Sequence, residues 1–452
     1  MDPSIEEALP EVPVSTQEDV DAAVAAARAA FPAWSKTSWD EREALINKLA
    51  DAVADNKDGF VKMLIKESGK AVGTSTTEAD KTLDFFRSLA SQRVKDEVLV
   101  DTPEVTATLR HTPLGVGAAI VPWNWPLLLC TIKVASALIT GNCVIVKPSP
   151  FTPYTNIKLV EIASRIFPPG VVQVLSGGDD LGPMLTEHPG IDKVSFTGSS
   201  FTGKKVMESC SRTLKRVTLE LGGNDVAIIC EDADLAKTIP VVGTMCFLGS
   251  GQICMDVKRI YVHEKIYDEF KKGLVAFAES VKMGSPEDAD TLVGPIQNSM
   301  QYAKVQELYG QIKKQGWNAI VGGNVDSKAA CPKGYFMQPT IIDNPPEDSR
   351  IVQEEPFGPI VPILKWTDEE DVLARANVSK MGLGGSVWTK DLARGERLAS
   401  RLESGSAWVN THFELDPRVP FGGAKWSGLG RELGVNGLSG WMEPQSLWVR
   451  KT

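Results

Sequence analysis

From residue 116 onward, short apolar runs alternate with helical stretches, and this alternation constrains the fold more than any other feature. Segments 116–121, 144–146, 171–175 and 194–196 are strand-length apolar runs, with helical patterns at 127–139 and 155–166. Strands that are apolar throughout must be covered on both faces, and intervening helices provide both the cover and the parallel crossover. The expected fold class is therefore α/β, with ligands at the carboxyl ends of a parallel sheet. A second alternating region follows residue 221. Its strands are expected at 226–229, 260–262, 360–364, 386–388 and 407–409, and its helices at 265–281, 298–315 and 369–377. The boundary between the two regions falls at 220–223.

The flanking segments behave differently. The first hundred residues read as helices. Ser15-x-x-Glu18 is a capping-box pattern, followed by Val20, Val24, Ala27 and Phe31 on one face. Leu45, Leu49 and Val53 repeat that spacing. Segment 95–112 is rich in strand formers around Thr102-Pro103 and reads as a hairpin without a local partner. A last short strand is expected at 446–450. At 452 residues, the chain has room for two to three domains.

Charge and cysteine usage narrow the function classes. Lys and Arg number 48 against 58 Asp and Glu, which leaves a net charge of −10 and no basic block. Such a chain is poorly suited to nucleic acid or to an anionic membrane surface. The longest apolar stretch, 127–139, is interrupted by Lys133 and is shorter than the ~18 residues of a membrane span. Met1 to Glu7 has neither the basic nor the apolar region of a signal peptide. The seven cysteines, Cys130, Cys143, Cys210, Cys230, Cys246, Cys254 and Cys331, include no C-x-x-C pair, and there are four histidines. This weighs against a zinc ribbon, a redox dithiol or a disulfide framework. It points to reduced thiols in the cytoplasm, one of them chemically active, with no metal site.

Four motifs could carry chemistry. In Val194-Ser195-Phe196-Thr197-Gly198-Ser199, a strand enters a turn and a helix, which offers backbone N–H groups to a phosphate. The segment approaches a nucleoside-triphosphate loop, but Lys205 stands where a metal-binding hydroxyl is required. A helix start that needs small residues for packing is the alternative. Glu220-Leu221-Gly222-Gly223-Asn224 places a carboxylate at a strand end beside two glycines, aimed into a cleft or else an exposed turn. Gly249-Ser250-Gly251-Gln252-Ile253-Cys254 puts a thiol after a permissive loop, whereas Cys130, Cys143 and Cys230 lie in apolar segments and read as inert core. In Pro122-Trp123-Asn124-Trp125-Pro126, two prolines restrict the backbone around Asn124. Its amide could donate to a developing oxyanion or cap the following helix.

Taken in order and spacing, these residues resemble the aldehyde dehydrogenase superfamily over about residues 12–450. The resemblance also includes Lys147-Pro148-Ser149, Glu354-Glu355-Pro356-Phe357-Gly358-Pro359, Trp408-Val409-Asn410 and Pro420-Phe421-Gly422-Gly423-Ala424-Lys425-Trp426-Ser427-Gly428. It implies a Rossmann-like dinucleotide-binding domain (1–94 and 114–220) and a catalytic domain (221–430). A small β oligomerisation element (95–113 and 431–452) would complete a homodimer or homotetramer. Cys254 would attack the aldehyde, Asn124 and the Cys254 N–H would hold the oxyanion, and Glu220 would activate water against the thioester. Lys147 would join them from the cofactor side, where it contacts the adenine-side ribose. Pro122, Trp123, Ser149, Pro150 and Leu221 would line the cofactor, Gly198 and Ser199 would face its pyrophosphate, Glu355 the nicotinamide ribose, and Phe357 would pack nearby.

By the same resemblance, Trp125, Ile253, Met255, Phe413, Leu415 and Phe421 would line the aldehyde tunnel. This set lacks a cation and implies a medium-sized apolar or aromatic aldehyde, unless the loop cation Arg418 turns inward. Pro150 departs from the family, since a glutamate usually stands there and holds the ribose hydroxyls. Acceptance of either NAD or NADP is the expectation. The competing readings are a CoA-acylating relative, against which Glu220 argues, a non-catalytic protein of the same fold, and a P-loop NTPase. The chain also begins late relative to the family.

Overall fold

The computed structural model describes residues 1–324 and 333–451; Cys331 and Thr452 lie outside the described residues. Five parallel strands, Val116–Ile120, Cys143–Lys147, Val172–Val174, Lys193–Thr197 and Arg216–Glu220, form the first sheet. Three of them, Val116–Ile120, Cys143–Lys147 and Lys193–Thr197, are buried along their whole length, as strands covered on both faces must be. Helix Pro126–Ile139 packs against the sheet and is buried around nearly all its circumference. The chain enters at Val116–Ile120, adds Cys143–Lys147 and Val172–Val174 on one side, then Lys193–Thr197 and Arg216–Glu220 on the other. The reversal opens a crevice between Val116–Ile120 and Lys193–Thr197, where such sheets bind ligands.

A four-residue connection, 221–224, leads into a seven-stranded sheet. Its spatial order is Asn318–Val321, Thr340–Asp343, Ile360–Trp366, Val257–His263, Asp225–Ile229, Gly384–Trp388 and Ser406–Val409. All pairings are parallel except the edge strand Asn318–Val321. Asn318–Val321 and Thr340–Asp343 escaped the sequence reading because four residues are too few to show a period.

The hairpin finds its partner 330 residues later. Glu97–Asp101 pairs with Val105–Pro113, which pairs with Met442–Arg450 from Pro113 opposite Met442 to Val105 opposite Arg450. The terminal strand starts four residues before the expected 446, because the polar Glu443-Pro444-Gln445 conceals it. Val98, Leu99, Leu447, Trp448 and Val449 are exposed on this three-stranded sheet.

Two expectations need correction. The first helix is Gln17–Trp34, and its capping box is Thr16 with Asp19, one residue beyond the expected pair. The reason is that the Ser15 N–H is tied to the Ser176 carbonyl at 2.8 Å, outside the helix. Residues 421–441 were divided between the catalytic domain and the oligomerisation element. Instead, Phe421, Leu433, Leu438 and Trp441 pack in the core of the first sheet, and Gly428–Leu429 pairs antiparallel with Arg216–Glu220. Burial of Glu432 against Lys133 draws the segment there. No helix among the described residues is long and apolar enough to cross a membrane.

Candidate active site

The carboxyl ends of the first sheet face the amino ends of the second, and the chemistry-bearing residues gather between them. Asn124, Lys147, Gly198 and Glu220 lie at or just after ends of first-sheet strands. Cys254 lies just before strand Val257–His263, and Glu355 just before Ile360–Trp366. The close approach depends on the connection 221–224. A Cβ on Gly222 would sit 2.3 Å from Glu355 Oε2, and one on Gly223 would sit 2.3 Å from the Cys254 carbonyl oxygen. A side chain at Gly223 would push the two walls apart, whereas one at Gly222 would displace the Glu355 carboxylate.

Cys254 follows a turn in which Gly249, Ser250 and Gly251 all have left-handed φ, and it is the described cysteine that remains partly exposed. Acidity does not single it out, because burial pushes the other described thiols upward too, Cys130 and Cys143 to about 12. Its company does. Burial raises the Cys254 thiol well above its ordinary value, and the facing Glu220 carboxylate adds to the rise. Glu220 is 1 % exposed, and neither carboxylate oxygen has a hydrogen-bond partner of ordinary geometry, although the Cys254 thiol lies close enough to favour its charge. Burial first, and Glu432 second, push Glu220 up to about 8. A buried carboxyl poised near neutrality and aimed at a thiol is equipped for proton transfer.

Asn124 donates from Nδ2 to the Gln252 carbonyl at 2.9 Å, which ties its amide to the loop that carries Cys254. It does not cap the following helix. Glu78 does so, with Oε1 accepting from the N–H groups of Leu127 (2.9 Å) and Leu128 (3.1 Å). Lys70 forms an ion pair with Glu78, so the helix start beside Asn124 is held by a buried charge pair.

The crevice fits a dinucleotide. The twelve-residue helix Ser200–Ser211 starts at Ser199, whose Oγ accepts from Thr202 N at 3.2 Å, and Gly198 precedes it. Lys147 makes only long contacts of 3.4 Å, to the Pro148 and Gly177 carbonyls, so its donors retain capacity for a ribose or phosphate. Burial lowers its pKa. Ser149 is buried, and Pro150 is exposed. Trp123 and Phe357 meet edge to face at 5.4 Å, and Phe357 has a left-handed φ of 47°. Pro122 is half-buried, while Leu221 is buried and lies 2.5 Å from where a Gly203 Cβ would be. Lys204 and Lys205 lie over the rings of Trp426 and Phe201. They are thus engaged elsewhere than at a triphosphate, which removes the support for the P-loop reading.

On the aldehyde side the structure only partly unites the expected set. Trp125 and Ile253 line a shallow recess together with Asn124, Gln252, Trp123 and Lys70. Phe413 lies 6.3 Å from Trp125 between ring centroids. Met255 and Phe421 are core residues, 2 % and 5 % exposed, and Leu415 packs on the same core. Beside the six residues of the expected set, which lack a cation, stands Lys70, whose ammonium lies 4.6 Å from the Trp125 ring centroid. Its charge is committed to Glu78. Arg418 is paired with Asp416 at 2.7 Å, with its side chain 75 % exposed.

Lys70, Lys258 and Glu432 carry no signal in the sequence, because each is an isolated charge in an otherwise ordinary pattern. Lys133 alone left a trace, as the charge that interrupts the longest apolar run.

Comparison with known proteins agrees with this geometry. The model of the aldehyde dehydrogenase family matches residues 1–447. The aldehyde dehydrogenase LUC3 of Fusarium sp. is 42% identical over 452 residues, covering 100% of this chain and 95% of the relative. Retinaldehyde dehydrogenase 3 of Rattus norvegicus is 38% identical, covering 99% and 88%. The crystal structure of betaine aldehyde dehydrogenase from Staphylococcus aureus in complex with NAD+ superposes with a TM-score of 0.96 at 32% identity, covering 99% of this chain and 90% of that one. The chain belongs to the aldehyde dehydrogenase family and is an NAD(P)-dependent enzyme that oxidises an aldehyde to a carboxylic acid.

Proposed function

We propose that Cys254 is the nucleophile, Asn124 the oxyanion donor and Glu220 the general base. The observation that carries this reading is the unpaired, buried Glu220 carboxylate facing the Cys254 thiol, with Asn124 tied to the same loop. The Cys254 thiol loses its proton to solvent, and the thiolate sulfur forms a bond to the aldehyde carbon. The negative charge moves to oxygen, where the Asn124 amide and the Cys254 N–H can donate. NAD(P)+ would supply the hydride acceptor at this point, and loss of hydride from the tetrahedral carbon would leave Cys254 as a thioester. Glu220 then takes a proton from water, whose oxygen attacks the acyl carbon. The C–S bond breaks, and the carboxylic acid and the thiolate separate. Retention of Glu220 favours water over CoA as the acyl acceptor.

The substrate inferred is a medium-sized apolar or aromatic aldehyde. Support comes from Trp125, Ile253 and Phe413, from the commitment of Lys70 to Glu78, and from the outward pairing of Arg418. Both NAD+ and NADP+ are expected to serve, because Pro150 offers neither an acceptor for ribose hydroxyls nor a charge against a 2′-phosphate. The exposed apolar residues of the three-stranded sheet support a homo-oligomer built through that element. The free thiols favour the cytoplasm.

The test is an aldehyde panel with each cofactor, run on wild type and Cys254→Ala and monitored by reduced-cofactor absorbance. Turnover should vanish in the variant while cofactor binding persists. Substantial turnover by Cys254→Ala would remove the assignment. Saturation at low succinic semialdehyde, with poor use of benzaldehyde and hexanal, would reverse the substrate class.

A further inference from the structure

The mechanism leaves one buried cation beneath the nucleophile without a role. Lys258 lies four residues after Cys254, with its side chain 3 % exposed. Its Nζ donates to the Ile253 carbonyl at 2.7 Å and to the Cys254 carbonyl at 2.6 Å, and it pairs with Glu355 Oε1 at 3.4 Å. Two of the three N–H bonds thus serve main-chain carbonyls, and the charge of the ammonium faces Glu355. Glu355 Oε1 also accepts from the Gly223 N–H at 3.1 Å, which ties this charge to the connection between the two sheets.

The loop is braced at other points too. Asp256 Oδ2 accepts from Ile253 N at 3.2 Å, and His412 Nε2 lies 3.0 Å from the Met255 carbonyl. Burial holds His412 neutral, with its pKa lowered to about 3. Of the groups around Lys258, Glu355 is the one that also reaches the connection 221–224 between the two sheets. Burial opposes the ammonium charge, but Glu355, Asp225 and Asp256 outweigh it and raise the Lys258 pKa. Burial also pushes Asp225 up to about 7 and Asp256 well above its ordinary value, so the ammonium depends first on Glu355 for its charge.

We propose that Lys258 is a positioning residue shared by the two halves of the site. One ammonium pins the backbone that presents Cys254 and anchors the carboxylate assigned to the nicotinamide ribose. The inference rests on the roles given above to Cys254 and Glu355. It has an electrostatic corollary. The ionisable groups facing the Cys254 thiol are Glu220 and Glu355, which disfavour the thiolate, and Lys258, which favours it. The lysine is the one opposing charge, and Glu355 shares it.

The experiment measures iodoacetamide alkylation of Cys254 against pH in the protein without added cofactor, using Cys254→Ser as the blank for other thiols. NAD+ affinity is measured calorimetrically on the same samples. Lys258→Met should raise the apparent pKa of alkylation by about one unit, a tenfold slowing at fixed pH below it, and weaken NAD+ binding by about tenfold. Lys258→Arg, which keeps the charge, should restore most of the alkylation profile. Glu355→Gln should act in the opposite sense and lower the apparent pKa, since it removes a like charge and frees the ammonium. Wild-type alkylation and NAD+ affinity in Lys258→Met would overturn the inference. Should that variant fail to fold, an unchanged alkylation profile in Glu355→Gln would overturn it instead. Turnover retained by Cys254→Ala would remove the functional reading itself, whatever Lys258 does, so the two failures are distinct.

Discussion

The two walls of the site hold their functional groups in different ways. On the first-sheet wall, Glu220 stands beside a side-chain network in which Lys133 pairs with Glu432 and donates to Ser195 Oγ at 3.2 Å, while Ser195 donates to Glu432 at 3.0 Å. On the second-sheet wall, Lys258 grips main-chain carbonyls of the nucleophile loop. A side-chain network can be retuned one charge at a time and changes the proton affinity of its neighbour. A clamp on backbone fixes geometry, and altering it moves the nucleophile itself. The proposed base therefore sits where charge is adjustable, and the thiol where position is not.

The strongest test of that contrast breaks the first-wall network. Lys133→Met leaves Glu432 buried without its counter-charge, and loss of about 3–5 kcal/mol of stability is expected. Adding Glu432→Gln should recover much of it, because the orphaned charge is then gone. Chemical denaturation of the single and double variants measures both. Equal losses in the two would mean that packing, not charge pairing, holds this wall.

The next test separates the walls by reaction step. Asn124→Ala removes an oxyanion donor and should raise the acylation barrier by about 2.7–4 kcal/mol. Glu220→Gln should instead spare the first turnover, so a burst of reduced cofactor survives while steady turnover collapses. Rapid-mixing absorbance resolves burst from steady rate. Burst-free inactivation in both variants would contradict the division of labour.

A pH profile sharpens the role of the adjustable charge. Glu220, raised to about 8, must lose its proton to act as a base, so deacylation should climb as pH rises through about 8 and level off above it. Glu432→Gln removes a like charge and should shift the limb to lower pH, and Glu220→Gln should abolish it. Single-turnover deacylation rates across pH provide the measurement.

The smallest effect lies at the rim of the first wall. Pro150→Glu should lower kcat/KM for NADP+ more than for NAD+, by several-fold, through repulsion of the 2′-phosphate. Strict use of NAD+ by wild type, unchanged in the variant, would refute the argument.

Much of this was legible in the chain. Strands Val116–Ile120, Cys143–Lys147 and Lys193–Thr197 are visible because burial on both faces writes apolar runs. Cys254 stood out from Cys130 and Cys143 because it follows Gly249-Ser250-Gly251 rather than sitting in an apolar segment. Asn124 stood out for its flanking prolines. The partner of the hairpin, the lodging of residues 421–441 in the first core, and the charges at Lys70 and Lys258 could not be read in this way.

The physical reason is the range of the interactions. Secondary structure, chain order and chemically distinctive motifs follow from neighbours within a few residues, and these the sequence by itself determined. Which charges meet is decided by contacts across the fold. Asn124 reaches Gln252 over 128 residues, Gly223 reaches Glu355 over 132, and Lys133 reaches Glu432 over 299. A lysine carries no local mark of the carboxylate or carbonyl it will meet, so only the tertiary structure could show that one buried ammonium stands beside the base and another beneath the nucleophile.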